Sequence, residues 1–79
     1  MKHAVKLPRL GETVDEVVVM EWEAKVGDSL QAGDVLLRVE TDKAIVDVPS
    51  PVTGRLLAQL VAEGDEVSTG TVIAQLESS

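Results

Sequence analysis

One lysine in this chain stands where chemistry could use it. Two strand-like runs, one ending at Glu40-Thr41 and one resuming at Ala44-Ile45-Val46, leave only Asp42 and Lys43 between them. That spacing implies a tight hairpin. Two-residue hairpins favour Asn-Gly or Asp-Gly, because the second central position often needs φ > 0. A left-handed lysine there would cost about 1 kcal/mol, and a type I turn would avoid the strain. A local rule broken in an otherwise consistent sequence points to function; the bland alternative is a solvated turn lysine. The chemistry open to an exposed primary amine is amide formation with an activated acid. Lysine amines are protonated at neutral pH, and no basic or buried neighbour in the sequence offers activation. The chain contributes exposure and position, presenting one lysine out of Lys2, Lys6, Lys25 and Lys43. Acylation would take the formal net charge from −7 to −8.

Few other side chains could do chemistry. The 79 residues contain no cysteine, which excludes disulfide staples, thiolate metal sites and a cysteine nucleophile. The single histidine, His3, cannot form a histidine cluster, and no function is assigned to it. The fourteen carboxylates against seven basic residues oppose nucleic acid and anionic membranes as partners. They read as a solvated surface, and no two of them are paired in a pattern that suggests general acid–base catalysis. No apolar run approaches the roughly 20 residues of a membrane-spanning helix, and no signal-like start is present. The chain is expected to be a single domain over residues 1–79, soluble, reduced and mature, and too small for an enzyme with separate cofactor and substrate domains.

The elements that must position Lys43 are strands. Fourteen valines, nine leucines and two isoleucines stand against one aromatic, Trp22, and branching at Cβ suits a pleated sheet. Strands are expected near 3–7, 14–22, 28–31, 34–41, 44–49, 53–61, 65–68 and 71–77, punctuated by glycine and proline. Trp22 ends the second and is expected to pack at the edge of the core. Residues 27–40, GDSLQAGDVLLRVE, match residues 64–77, GDEVSTGTVIAQLE, at a shift of 37. Val35, Leu37 and Val39 then share a face, as do Val72, Ala74 and Leu76, with Arg38, Glu40, Gln75 and Glu77 opposite. Two units, each with one apolar face, must bury those faces against each other. The expected fold is all-β: two four-stranded antiparallel sheets related by a pseudo-two-fold axis. Such an axis puts residues 42–43 at one pole and both chain ends at the other.

The stretch ETDKA, followed by IVDVPSPVTG, resembles the lipoyl domain of the 2-oxo acid dehydrogenase complexes. The resemblance runs from KLPRLGETVDEVVVMEW through VGDSLQAGDVLLRVETDKA to EGDEVSTGTVIAQLE, nearly the whole chain. It implies a flattened β-barrel in which Lys43 bears lipoic acid in amide linkage. The family's glycines sixteen residues before and eleven after the lysine fall on Gly27 and Gly54, expected to serve turn geometry; Gly33, Gly64 and Gly70 also read as turns. Asp42 and Ala44 would be read by the lipoyl-attaching enzymes. Thr41 and Glu40 would meet a decarboxylase, although Glu77 occupies Glu40's place in the second half without that role. The loop at 8–16, with Gly11, Glu12 and Thr13, would lie beside the hairpin and help a partner choose its domain.

The resemblance implies a non-catalytic swinging arm within a dihydrolipoyllysine-residue acyltransferase chain. A lipoate–protein ligase or a lipoyl/octanoyl transferase would modify it. A thiamine-diphosphate-dependent 2-oxo acid decarboxylase would acylate it, an acyltransferase core would take the acyl group, and dihydrolipoyl dehydrogenase would reoxidise it. The isolated domain is expected to be a monomer. The closest rival is a biotin carboxyl carrier domain, whose lysine lies between two methionines; here Asp42 and Ala44 flank it, and the methionines are at 1 and 20. Two weaker rivals are an unmodified barrel-sandwich domain, as in membrane-fusion adaptors, and the longer glycine-cleavage carrier. Ser78-Ser79 is expected to begin a linker leading out of an excised domain, ahead of ending a free-standing carrier, and the compartment is expected to be a bacterial cytoplasm, ahead of the mitochondrial matrix.

Overall fold

A computed structural model describes residues 1–10 and 15–78. Its elements are β1 (Lys2–Lys6), β2 (Glu16–Trp22), β3 (Ser29–Leu30), β4 (Val35–Glu40), β5 (Ile45–Pro49), β6 (Gly54–Gln59), β7 (Glu66–Ser68) and β8 (Val72–Glu77), with no helix among the described residues. All eight expected strands are present, with ends displaced by two residues at most. They form two four-stranded antiparallel sheets, ordered β1-β8-β6-β3 and β5-β4-β2-β7.

Those two orders are one order written twice. A shift of 37 carries β2, β3 and β4 onto β6, β7 and β8, and β5 takes the place of β1. The symmetry reaches single bonds. Gly27 N–H donates to Leu56 O at 2.8 Å and Leu56 N–H to Asp28 O at 2.9 Å; Gly64 N–H donates to Val19 O at 2.8 Å and Val19 N–H to Asp65 O at 2.9 Å. Each half thus supplies a turn that pairs with a strand of the other. Neither half can complete its backbone hydrogen bonding alone, and unpaired buried amides are costly.

The core lies between the sheets. Leu36, Leu37, Val39, Val48, Leu56, Ile73 and Leu76 are fully buried or nearly so, and burial of each such side chain contributes about 1.5–3 kcal/mol. The strict alternation expected for β4 and β8 is corrected at one point in each. Leu36 and Ile73 are buried beside Leu37 and Ala74, because the pairing register slips there, between Val35 and Leu37 and between Val5 and Lys6 opposite β8. A bulge turns two successive side chains inward where the pleat would alternate them. Arg38, Glu40, Gln75 and Glu77 face outward as expected.

Three of the exposed carboxylates also close turns. Gly27, Gly33, Gly64 and Gly70 have φ between +91° and +98° and turn the chain sharply, a conformation that glycine adopts without the steric cost of a Cβ. In three of these turns the aspartate after the glycine reaches back. Asp28 accepts from Lys25 N–H, Asp34 from Gln31 N–H and Asp65 from Ala62 N–H, each at 2.9 Å. The fourth turn has Thr71 in that place, where Thr71 N–H donates to Ser68 O at 3.1 Å.

The two-fold breaks in two places. The β1–β2 connection has nine residues, 7–15, against four, 50–53, between β5 and β6. The other break is the junction itself. Most connections cross between sheets, and among the described residues β4 and β5 are the only consecutive strands that pair with each other. The equivalent partnership, β8 with β1, is where the chain begins and ends.

Candidate functional site

The β4–β5 ladder carries the candidate lysine. Cross-strand pairs climb it in order, Leu37 with Val48, Arg38 with Asp47, Val39 with Val46 and Glu40 with Ile45. Val39 and Val48 anchor the inner face. On the outer face Arg38 Nε lies 3.1 Å from Asp47 Oδ1 and 3.2 Å from Glu23 Oε1. These pairs are solvent-exposed and add to the ladder about 1 kcal/mol at most.

Above Glu40 and Ile45 the chain reverses through Thr41-Asp42-Lys43-Ala44. Thr41 N–H donates to Ala44 O at 2.8 Å. No non-glycine residue among those described has a positive φ, so Lys43 is not left-handed and the anticipated strain is absent. The turn is closed instead by a side chain. Thr41 Oγ1 accepts from Ala44 N–H at 3.0 Å and from Lys43 N–H at 3.2 Å, and it donates to Ala44 O at 2.9 Å. A threonine hydroxyl can stand in for a backbone carbonyl in this way. The sequence reading gave Thr41 only a contact role and missed the clamp; a Ser or Thr preceding a two-residue turn was the signal that could have revealed it.

Asp42, Lys43 and Ala44 are exposed, and Ile45 retains 57% of its surface. The tip therefore leaves room for an enzyme to reach the Lys43 amine and for a long acyl chain to extend from it. Beside the hairpin is a recess of about 220 Å³ lined by Glu16, Glu40, Asp42 and Glu66 with Val17, Val18 and Thr41. Its two-fold counterpart, about 400 Å³, lies at the chain ends and contains Arg55 and Glu77 with Ser29, Thr53 and Gly54. The two poles have the same backbone plan and different charge.

The poles are at opposite ends. β7 ends at Ser68, which pairs with Glu16 on the hairpin side. After the turn at Gly70, β8 runs from Val72 away to Glu77, where it pairs with Lys2. The chain ends close on each other there: Ser78 N–H donates to Met1 O and the Met1 ammonium to Ser78 O, both at 2.9 Å. His3, to which no partner was assigned, has Nε2 2.8 Å from Ser78 Oγ.

Glu40, Thr41, Asp42, Lys43 and Ala44 are thus brought together, and the two flanking glycines are not part of the tip. Gly27 is in its turn against Leu56. Gly54 is not a turn residue, which corrects that expectation; it opens β6, opposite Leu30. A Cβ on Gly54 would collide with the Glu77 carbonyl oxygen and would lie 2.9 Å from its carbon and 3.2 Å from Ser78 Cα. Its role is close approach of strands at the pole of the chain ends. Gly11, Glu12 and Thr13 lie outside the described residues. Trp22 packs at the core edge as expected, and its Nε1–H also donates to Val61 O at 2.9 Å.

Two symmetry-related four-stranded sheets define the barrel-sandwich class of domains. The chain belongs to the biotin/lipoyl family, described as "Biotin-requiring enzyme", which matches residues 3–76. Within it, the sequence similarities below are to acyltransferase components of 2-oxo acid dehydrogenase complexes, while the fold is shared both with a lipoyl domain and, at 23% identity and a TM-score of 0.66, with the urea carboxylase of Kluyveromyces lactis. It is 44% identical over 75 residues to the lipoamide acyltransferase component of the branched-chain alpha-keto acid dehydrogenase complex of Pseudomonas aeruginosa, covering 95% of this chain and 18% of that protein. It is 42% identical over 72 residues to the dihydrolipoyllysine-residue acetyltransferase component of the pyruvate dehydrogenase complex of Corynebacterium glutamicum, covering 91% of this chain and 11% of that one. The solution structure of the lipoyl domain of the 2-oxoglutarate dehydrogenase complex from Azotobacter vinelandii superposes with a TM-score of 0.74, at 25% identity and 95% coverage of both chains. The chain thus spans less than a fifth of the length of these two acyltransferase relatives.

Proposed function

We propose that Lys43 carries lipoic acid as an amide and that the domain is the carrier arm of a 2-oxo acid dehydrogenase complex. The observation that carries this reading is a single exposed lysine at the tip of the hairpin β4–β5, the one hairpin joining consecutive strands among the described residues. Lys43 Nζ would hold the group, with Asp42 and Ala44 on either side of it. Bound lipoate would supply a disulfide–dithiol couple able to carry an acyl group, chemistry that this cysteine-free chain has no group of its own to perform.

The chain's contribution is presentation. The hairpin holds the amine clear of both sheets, and the chain ends leave from the far pole, so a tether and an arm do not compete for space. Tethering then raises the effective concentration of the arm at each partner. In this reading the partners are a lipoate–protein ligase or lipoyl/octanoyl transferase, a thiamine-diphosphate-dependent decarboxylase, an acyltransferase core and dihydrolipoyl dehydrogenase. In this reading the isolated domain is a monomer. A biotinyl arm has less support, because no methionine flanks Lys43.

The test is the intact mass of the protein after incubation with lipoate, ATP and a lipoate–protein ligase, followed by peptide mapping. One lipoyl increment on Lys43 is the expected result. No increment on a folded protein would remove the reading, and the same assay with biotin and its ligase would then test for a biotinyl arm.

A further inference from the structure

We infer that Thr41 is a positioning residue for acylation of Lys43, and that its hydroxyl sets the direction in which the amine is presented. The inference rests on Lys43 being the acylated residue. Two-residue hairpins usually turn through positive φ, because that geometry matches the right-handed twist of the strands. Asp42 and Lys43 do not adopt it. A turn at negative φ fits the ladder less well, and something must hold it.

Thr41 Oγ1 engages the Lys43 and Ala44 amides at 3.2 and 3.0 Å and the Ala44 carbonyl at 2.9 Å. It therefore binds the backbone on both sides of the Lys43 Cα. Lys43 itself is exposed, so no packing around its side chain fixes its course. Orientation must come from the backbone of the turn, and the clamp acts on that backbone.

The two-fold axis places a related hydroxyl at the opposite pole. Ser78 takes the place of Thr41 at the opposite pole, and its amide donates to Met1 O at 2.9 Å as Thr41's donates to Ala44 O at 2.8 Å. Ser78 Oγ likewise donates to Met1 O, at a longer 3.4 Å, and is also engaged by His3 Nε2 at 2.8 Å.

The experiment compares wild type with Thr41→Val, which keeps the branched shape and removes the hydroxyl, and with Thr41→Ser, which restores it. Ligase-catalysed lipoylation is followed by intact mass over a range of domain concentrations, so that KM and kcat separate. Amide hydrogen exchange at residues 43 and 44 is measured on the unmodified proteins. Thr41→Val is expected to lose about tenfold in kcat/KM, the order of one lost hydrogen bond. Its two tip amides should exchange faster while those of Val39 and Val48 stay protected, and Thr41→Ser should recover most of both effects. Thr41→Val acylated at the wild-type rate, or Thr41→Ser as slow as Thr41→Val, would overturn the inference. If Thr41→Val does not fold, unprotected Lys43 and Ala44 amides in the wild type would overturn it equally. A wild-type protein that takes no lipoyl group would instead remove the proposed function, whatever the exchange rates of the turn.

Discussion

Trp22 and Gln59 occupy equivalent positions in the two halves, and each donates a side-chain N–H to a backbone carbonyl of the other half. Trp22 Nε1–H reaches Val61 O at 2.9 Å and Gln59 Nε2–H reaches Ala24 O at 2.8 Å. The acceptors are themselves related by the shift of 37. Different side chains thus perform one task, fastening the chain that follows β6 to β2 and the chain that follows β2 to β6. Ala24 is buried, so its carbonyl has little water to turn to. Gln59→Leu is expected to destabilise the fold by about 1–2 kcal/mol, and Trp22→Phe by about 1 kcal/mol. For a domain this small each kcal/mol lowers the melting temperature by about 4–8 °C. Thermal melts by circular dichroism check both, because Trp22→Phe removes the only tryptophan available for fluorescence.

The glycines separate by mechanism. At Gly27 and Gly64 an added Cβ meets nothing within 4 Å, and the cost comes from φ of +98° and +92°. Alanine at either is expected to cost about 1 kcal/mol. At Gly54 the backbone is ordinary and the space is missing, since the methyl would collide with Glu77. Gly54→Ala is expected to cost about 2–3 kcal/mol, in the range of overpacking, and to loosen the β6–β8 ladder. Urea denaturation should show Gly54→Ala as the least stable of the three variants.

Closure of the chain ends predicts a permissive circular permutation. Ser78 and Met1 pair as Thr41 and Ala44 do across the hairpin. One residue added between Ser79 and Met1 therefore supplies a two-residue turn there. A permutant joined in this way and opened between Asp42 and Lys43 should fold with the same strand pairing, because the core and all eight strands are retained. It should also lose lipoylation, since Lys43 is then at a chain end without its turn. Amide NMR spectra together with intact mass after ligase treatment check both statements.

Position should matter at the tip as much as the presence of an amine. Lys43→Arg is expected to remove modification and leave the melting temperature within about 2 °C, since surface substitutions change stability little. On that background, moving lysine to position 42 or 44 should not restore efficient lipoylation. Successive residues of a tight turn point in different directions, and the Thr41 clamp fixes the backbone on both sides of the Cα at position 43. Efficient acylation of either shifted variant, read by intact mass, would mean that the ligase does not use turn geometry.

Sequence periodicity was enough for much of this. Valine-rich runs of period two, cut by glycine turns, announce eight strands, and the match of residues 27–40 to 64–77 announces two sheets related by a two-fold. The same match puts Lys43 at the pole away from the chain ends. These features are legible because they are local: they depend on side-chain alternation, on turn residues and on spacing along the chain. The family pattern around Asp42-Lys43-Ala44 is legible for the same reason.

What depended on distant backbone was not legible. Leu36 and Ile73 enter the core through bulges that follow from how neighbouring strands slip to match each other's twist. Gly54 reads as a turn until β8 is laid against it. Asp28, Asp34 and Asp65 look like surface charge until the glycine turns bring an amide to each. His3 meets Ser78, and Trp22 meets Val61, across most or half of the chain. Pattern along a chain specifies which face is apolar and where the backbone reverses; it does not say which carbonyl, amide or strand will arrive at a given side chain from elsewhere. By itself the sequence determined the strands, the two-fold and the exposed lysine, and only the tertiary structure decided which side chain holds that lysine's turn.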